Sequence, residues 1–388
     1  MIYLDNQATT PTDPRVLQSI LGYLSAGAVG NPHSEHYAGQ RAAAAVERAR
    51  GQVADLIGVR AEEIVFTSGA TEANNIAIQG IANAAGLKGK HIITCSTEHK
   101  CVLECVGYLG DKGFDVEVLP VGRDGVLDLD LLGDRITGRT VLVSIMAANN
   151  EIGVLQPISE IAEICRSRSV ILHTDAAQAA GKIPFDAAAL GVDLVSLSGH
   201  KLYAPIGIGA LFVSDDSPLR PEPLFRGGGQ ERGLRSGTVA AHLAIAMGAA
   251  AEIAKSELAV DAEHVASLRS LFLGIVTTRL PSSIVNAADT PRLPGNLSLT
   301  FPGIDADHLV GALQPHLAVS TNAACSSGVI EPSHVLRAIG LTDDQAKSTI
   351  RVGFGRFNTP SEAESAALLL CSTVEKIGGK DVENGVAA

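Results

Sequence analysis

An α/β fold, with a mostly parallel central sheet flanked by helices and a smaller C-terminal α/β domain, is what this 388-residue sequence predicts. Three observations carry that expectation. Short runs rich in Val and Ile recur at His91–Cys95, Val116–Val121, Thr140–Ile145, Val170–Thr174, Leu194–Leu197 and Gly209–Val213. Helix-length segments separate several of them, and strands apolar on both faces belong to parallel sheets covered on both sides. Beyond about residue 260 the alternation thins, and Pro281, Pro291, Pro294, Pro302 and Pro315 punctuate the chain.

Each element has a local reason. From Ala38 to Ile57, the apolar residues Ala42, Val46, Ala49, Val53 and Leu56 recur at steps of three and four, which predicts a helix with one buried face that ends at Gly58. Ile64-Val65-Phe66 reads as a short strand, broken by Thr67-Ser68-Gly69, and a second helix follows from Ala70 towards Ala85. A chain of this length exceeds what one hydrophobic core usually supports. The expected division is a large domain over 13–259 and a small domain made of 1–12 and 260–388. The last stretch, from Gly378 to Gly385, reads as a frayed polar tail.

Composition excludes several function classes. Hydrophobic residues make up 46% and charged residues 19%, the balance of a globular protein with a sizeable core. The net charge of −12 disfavours contact with a phosphate backbone, and the absence of Trp disfavours a base-stacking platform. No direct nucleic-acid binding is expected. Nor is a membrane span, since no apolar run reaches about 18 residues. The N-terminus Met1-Ile2-Tyr3-Leu4-Asp5 lacks the basic and apolar regions of a signal peptide. Six cysteines without framework spacing suit a reducing cytoplasm better than a secreted scaffold.

Three segments carry chemistry. Ser198-Gly199-His200-Lys201 follows a buried strand, where a partly desolvated Lys201 is placed to form a Schiff base. A solvated charge is the plainer reading of a single lysine there. Asp175 ends the strand before Ala176-Ala177-Gln178; it can pair with a protonated ring nitrogen or cap a helix. Thr67-Ser68-Gly69-Ala70-Thr71-Glu72 joins a strand to a helix, where free N–H groups and hydroxyls make a phosphate site or an ordinary capping box. Each piece is common, whereas all three in this order are not.

Taken together, the chain resembles the pyridoxal-phosphate-dependent cysteine desulfurases of the class V aminotransferase group. The matching segments are Leu4–Pro11, Thr67–Asn75, Thr97–Lys100, Asn149–Gly153, Asp175–Gln178, Ser198–Lys201, Gly227–Thr238 and Glu331–Arg337. The resemblance implies the type I fold of pyridoxal-phosphate transferases. It also implies that Lys201 holds pyridoxal 5′-phosphate covalently and shuttles protons, while His99 stacks on the ring as a candidate acid–base. Asp175 would pair with the pyridinium. Gln178 and Asn150 would hydrogen-bond near the phenolic oxygen and the substrate. Ala70, Thr71, Ser198 and His200 would bind the phosphate, joined by Thr238 from the neighbouring subunit of a homodimer. Arg351 would clamp the carboxylate of L-cysteine, for which a planar guanidinium is suited.

Cys325 is the residue that would define the reaction. It lies among small and polar residues, Ser320 to Gly328, which suggests an exposed, mobile thiol rather than a core cysteine. The resemblance implies that its thiolate takes sulfur from L-cysteine as a persulfide, releasing alanine, and delivers it to an acceptor protein. Iron–sulfur cluster assembly, thiolation and DNA sulfur modification all draw on such chemistry. The segment is similar to the longer-loop subgroup, from which it departs: Asn322 stands where that subgroup usually has Gly, with Thr321 and Ala323 where it has Ser. Gln7 replaces a small residue near the N-terminus. A selenocysteine lyase, another pyridoxal-phosphate lyase or aminotransferase, and a non-catalytic scaffold partner are the alternatives.

Cys95, Cys101 and Cys105 flank His99, but their spacing matches no standard zinc pattern, and no metal is expected. They are read, with Cys165 and Cys371, as cysteines filling small gaps in the core.

Overall fold

The computed structural model describes residues 1–27, 30–86, 89–321, 324–326 and 329–385; for 324–326, 329–331 and 379–385 it describes the backbone alone. After a short strand β1 (Ile2–Tyr3), seven strands form the main sheet: β2 (Ile64–Thr67), β3 (His91–Cys95), β4 (Asp115–Leu119), β5 (Thr140–Ser144), β6 (Ile171–Asp175), β7 (Leu194–Ser198) and β8 (Gly209–Val213). Their order is β2-β8-β7-β6-β5-β3-β4. Only β8 runs against its neighbours; the β7-β6-β5-β3-β4 ladder is parallel throughout.

Successive residues of one strand enter different cores, because side chains alternate across the sheet. Ile92, Leu142, Ile171, Leu194 and Leu211 pack with the helices Ala70–Ala85 and Lys100–Asp111. Their neighbours Ile93, Val143, Leu172, Val195 and Phe212 face the other layer, which includes the helices Tyr37–Leu56 and Ile158–Ser167. Burial on both faces is why these strands are apolar almost throughout. The edge strand β4 is the exception, with Asp115 exposed and Glu117 partly so, and charge on an edge discourages pairing with another chain. It ends at Leu119, short of the expected Val121, because Pro120 cannot continue the ladder.

A second sheet, mainly antiparallel, follows: β9 (Ile284–Val285), β10 (Asn296–Thr300), β12 (Ser320–Thr321) and β15 (Thr349–Gly353), in the order β12-β15-β10-β9. Strand β11 (Leu317–Ala318) pairs in parallel with β1, and β13 (Ala324–Ser326) forms a hairpin with β14 (Val329–Glu331). The helix Ala241–Arg279 runs past both sheets. Ala244 to Ala254 lie in the core of the main sheet, whereas Val265, Leu268, Phe272 and Val276 lie in that of the second. Leu4 is wholly buried in the second core, which draws the N-terminal segment there. The final polar stretch, expected as a frayed tail, instead continues the helix Pro360–Gly385. No helix among the described residues is long and apolar enough to cross a membrane.

Candidate active site

The carboxyl ends of β2, β3, β5, β6 and β7 open on one side of the main sheet, where ligands of such folds bind. A cavity of about 520 Å³ lies there, within the range of small-molecule sites. Ten of the sequence-predicted residues line it: Ala70, Thr71, His99, Asn150, Asp175, Gln178, Ser198, His200, Lys201 and Arg351. Thr238 does not; it is exposed, in the loop before the helix Ala241–Arg279. Cys325 sits in β13 opposite Ile330, and its side chain lies outside the described residues, as does Asn322 entirely.

Lys201 follows β7 in a short turn of helix, Gly199–Lys201. Its Nζ donates to the carbonyls of Gln7 and Ala8, both at 2.5 Å. Burial pushes the ammonium down to about 8, and the Arg351 guanidinium pushes the same way against the carboxylates of Asp5 and Asp175. About one amine in ten is therefore neutral at pH 7, far more than for an ordinary lysine. Gln178 Nε2 donates to the same Gln7 carbonyl at 2.9 Å. That carbonyl can only accept, which settles which end of the amide is the donor, and Lys182 Nζ, itself pushed down to about 7 by burial, donates to Gln178 Oε1 at 2.7 Å. Gln7 thus matters through its main chain, which the identity of its side chain did not reveal.

Asp175 combines the two readings its position allowed. Its Oδ1 accepts from the Ala177 N–H at 2.9 Å, as a local cap does. Its Oδ2 accepts from Asn74 Nδ2 at 2.8 Å. Asn74, wholly buried on the helix Ala70–Ala85, was missed by the sequence reading, because its contact spans 101 positions. The N-cap of that helix is Gly69, which supplies no side-chain oxygen to the first-turn N–H groups. They are left for a ligand. Gly209 of β8 packs directly beneath: a Cβ there would lie 2.6 Å from the Gly69 Cα. Glu72 accepts from the Ser68 N–H and pairs with Arg235 at 2.8 Å, bringing the glycine-rich loop Gly227–Thr238 to the cavity rim.

His99 caps the helix Lys100–Asp111, its Nδ1 accepting from the Cys101 N–H at 3.1 Å. Burial holds the ring below the usual imidazole range; Asp175 opposes this, and Lys201, His334 and Lys100 reinforce it. Arg351 donates to Asp5 Oδ1 at 2.7 Å and to the Asn150 carbonyl at 3.2 Å, while its buried Nε has no hydrogen-bond partner. Behind the site lies Glu98, whose carboxyl is pushed up to about 8 by burial, with Oε2 unpartnered.

Cys95, Cys105, Cys165 and Cys371 are buried core cysteines. Cys101 is not: it lines the cavity, because it opens the helix that His99 caps and so faces the site. Among the described residues, no group of three His, Cys, Asp or Glu could hold a metal ion.

The donor set fits pyridoxal phosphate. An uncapped helix N-terminus suits the phosphate, a half-buried lysine of lowered basicity suits the aldehyde, and a buried carboxylate suits the ring nitrogen.

Comparison with known proteins points the same way. A model of the aminotransferase class-V family matches residues 2–365. The cysteine desulfurase IscS of Rickettsia akari (strain Hartford) is 48% identical over 377 residues, covering 97% of this chain and 92% of that protein. Among solved structures, a NifS-like protein has a TM-score of 0.88 at 37% identity, covering 97% of this chain and 99% of its own. SspA in complex with cysteine has a TM-score of 0.81 at 35% identity, covering 92% and 100%. The chain belongs to the aminotransferase class-V family.

Proposed function

We propose that this chain is a cysteine desulfurase, which converts L-cysteine to L-alanine and passes the sulfur through Cys325 to an acceptor protein. One observation carries the reading: Lys201, Asp175, His99, Gln178, Asn150 and Arg351, drawn from five separate stretches of chain, line a single cavity. Kinship to the IscS of Rickettsia akari along 97% of the chain supports the same activity.

The cofactor, pyridoxal 5′-phosphate as in the family, supplies an electron sink for the substrate. Lys201 anchors it, and with basicity lowered to about 8 its amine takes and returns a proton at Nζ. Ala70, Thr71, Ser198 and His200 hold the phosphate. Asp175 keeps the ring nitrogen protonated, and Gln178 and Asn150 donate near the phenolic oxygen and the substrate. Arg351 orients the substrate carboxylate, a planar guanidinium being suited to bind it. The Cys325 thiolate attacks the substrate Sγ as the carbon–sulfur bond breaks. A persulfide then remains on the enzyme, and alanine leaves after protonation of its carbon.

The active unit is a homodimer in which Thr238 of each chain completes the phosphate site of the other. Its exposure outside its own cavity, at the end of the glycine-rich loop, supports this. Residues 13–259 act as the cofactor domain, and 1–12 with 260–388 as the domain bearing the cysteine. The change of core along the helix Ala241–Arg279 supports that division. We place the reaction in the reducing cytoplasm, consistent with five free cysteines among the described residues.

The test is Cys325→Ala. Sulfide release from L-cysteine should fall to background, while the yellow colour of bound cofactor persists. Wild-type activity in this variant would overturn the persulfide route.

A further inference from the structure

Cys101 stands beside His99, and its backbone hydrogen bond fixes which ring nitrogen carries the hydrogen. The Cys101 backbone N–H can only donate, and it points at His99 Nδ1 from 3.1 Å. Nδ1 must therefore carry a lone pair rather than a hydrogen. The Cys101 Sγ lies 3.0 Å from the same nitrogen, so in that contact the thiol is the donor. Asn74 Nδ2 reaches the sulfur at 3.1 Å with one N–H and Asp175 Oδ2 at 2.8 Å with the other. The amide could not be turned round without aiming its oxygen at the Asp175 carboxylate. Burial and the charge of Asp175 push the Cys101 thiol up to about 12, so it keeps the hydrogen it donates.

We propose that Asn74 and Cys101 are positioning residues forming a relay from Asp175 to His99, which holds His99 in the neutral tautomer with its hydrogen on Nε2. The role of His99 rests on the desulfurase reading; the proton arrangement does not. Among the described residues, the charged and titratable groups that act on the ring include Asp175 from the end of β6, Lys201 after β7, His334 from the helix His334–Ala338 and Lys100 on its own helix. A donor to Nδ1 stabilises the neutral ring, so the relay acts with burial to keep His99 uncharged at neutral pH. The ring can then lie against a cationic pyridinium without charge repulsion, and it offers a hydrogen at Nε2.

The experiment is nitrogen-15 NMR of histidine-labelled full-length protein, with and without bound pyridoxal phosphate, with His99→Gln assigning the signal. The expected result is a hydrogen on Nε2 and an acceptor shift at Nδ1. In Cys101→Ala the His99 titration should move up by about one pH unit, as befits loss of one hydrogen bond, and the acidic limb of kcat should move with it. Cys101→Ser, which retains a donor, should return both close to wild type. A hydrogen on Nδ1, or a titration unmoved in Cys101→Ala, would overturn the relay while leaving the desulfurase reading intact. Loss of desulfurase activity in the wild type would touch only that reading.

Discussion

Arg351 and Asp5, 346 positions apart, form a 2.7 Å ion pair at the edge of the cavity. Ser320 joins them: its Oγ donates to Asp5 Oδ2 at 2.7 Å, and its Cα is the register partner of Arg351 across β12 and β15. One carboxylate therefore ties the expected substrate clamp to the strand that precedes the cysteine hairpin.

These two charges should act on Lys201 in opposite directions. Burial is the main cause of its lowered basicity, Arg351 adds to it and Asp5 offsets part of it. Arg351→Gln should raise the pH midpoint at which the protein takes up pyridoxal phosphate, and Asp5→Asn should lower it, each by about half a unit to one unit. Cofactor uptake followed by absorbance across pH checks the signs. Shifts in the same direction would contradict the assignment.

Glu98 should make stability depend on pH. Its folded carboxyl titrates near 8, above its unfolded value, so the folded state binds the extra proton between them. Stability is full below about pH 4.5 as far as this group is concerned, and it declines as pH rises towards 8. Glu98→Gln should remove that decline, on the order of a few kcal/mol. Urea unfolding at pH 5 and pH 8 reads the difference.

The glycine-rich loop is anchored from behind. Glu231 accepts from both terminal nitrogens of Arg50, at 2.7 and 2.8 Å, and from the Phe66 N–H at 2.7 Å. It holds a bend in which Glu231 and Arg232 take φ of 49° and 56°, a region disfavoured for residues with a side chain. Arg50→Met leaves a buried carboxylate uncompensated and should cost about 3–5 kcal/mol in denaturant unfolding. Glu231→Gln, which keeps an acceptor oxygen and leaves Arg50 its ion pair with Glu47, should cost less.

Gly209→Ala should weaken cofactor binding. The added methyl meets the Gly69 backbone, displacing the helix N-terminus expected to hold the phosphate. Equilibrium dialysis should give a pyridoxal phosphate Kd raised about tenfold or more, equivalent to roughly 1.4 kcal/mol.

Most of the main sheet was legible in the sequence, because strands buried on both faces must be apolar along their whole length. The ladder at β3, β5, β6, β7 and β8 falls where the Val- and Ile-rich runs place it, within a residue or two. That Lys201, Asp175 and His99 meet in one cavity was legible because each lies at or just after a strand end in a recognisable segment. Asn74, Glu98 and Lys182 were not. Nothing in their own neighbourhoods distinguishes them from ordinary buried polar residues; their meaning lies in contacts such as Asn74 with Asp175 and Lys182 with Gln178. Cys101 was assigned to the core because helical spacing cannot tell a core face from a cavity wall.

The sequence by itself determined the layered α/β architecture and the kind of chemistry, since hydrophobic period and the order of reactive residues are local properties of the chain. Only the tertiary structure decided the protonation of that chemistry. Lys201 loses basicity because the fold buries it near Arg351, and His99 loses its Nδ1 hydrogen because the fold places Asn74 and Cys101 behind it. Burial and hydrogen-bond geometry set such properties, and both arise between segments that the sequence keeps far apart.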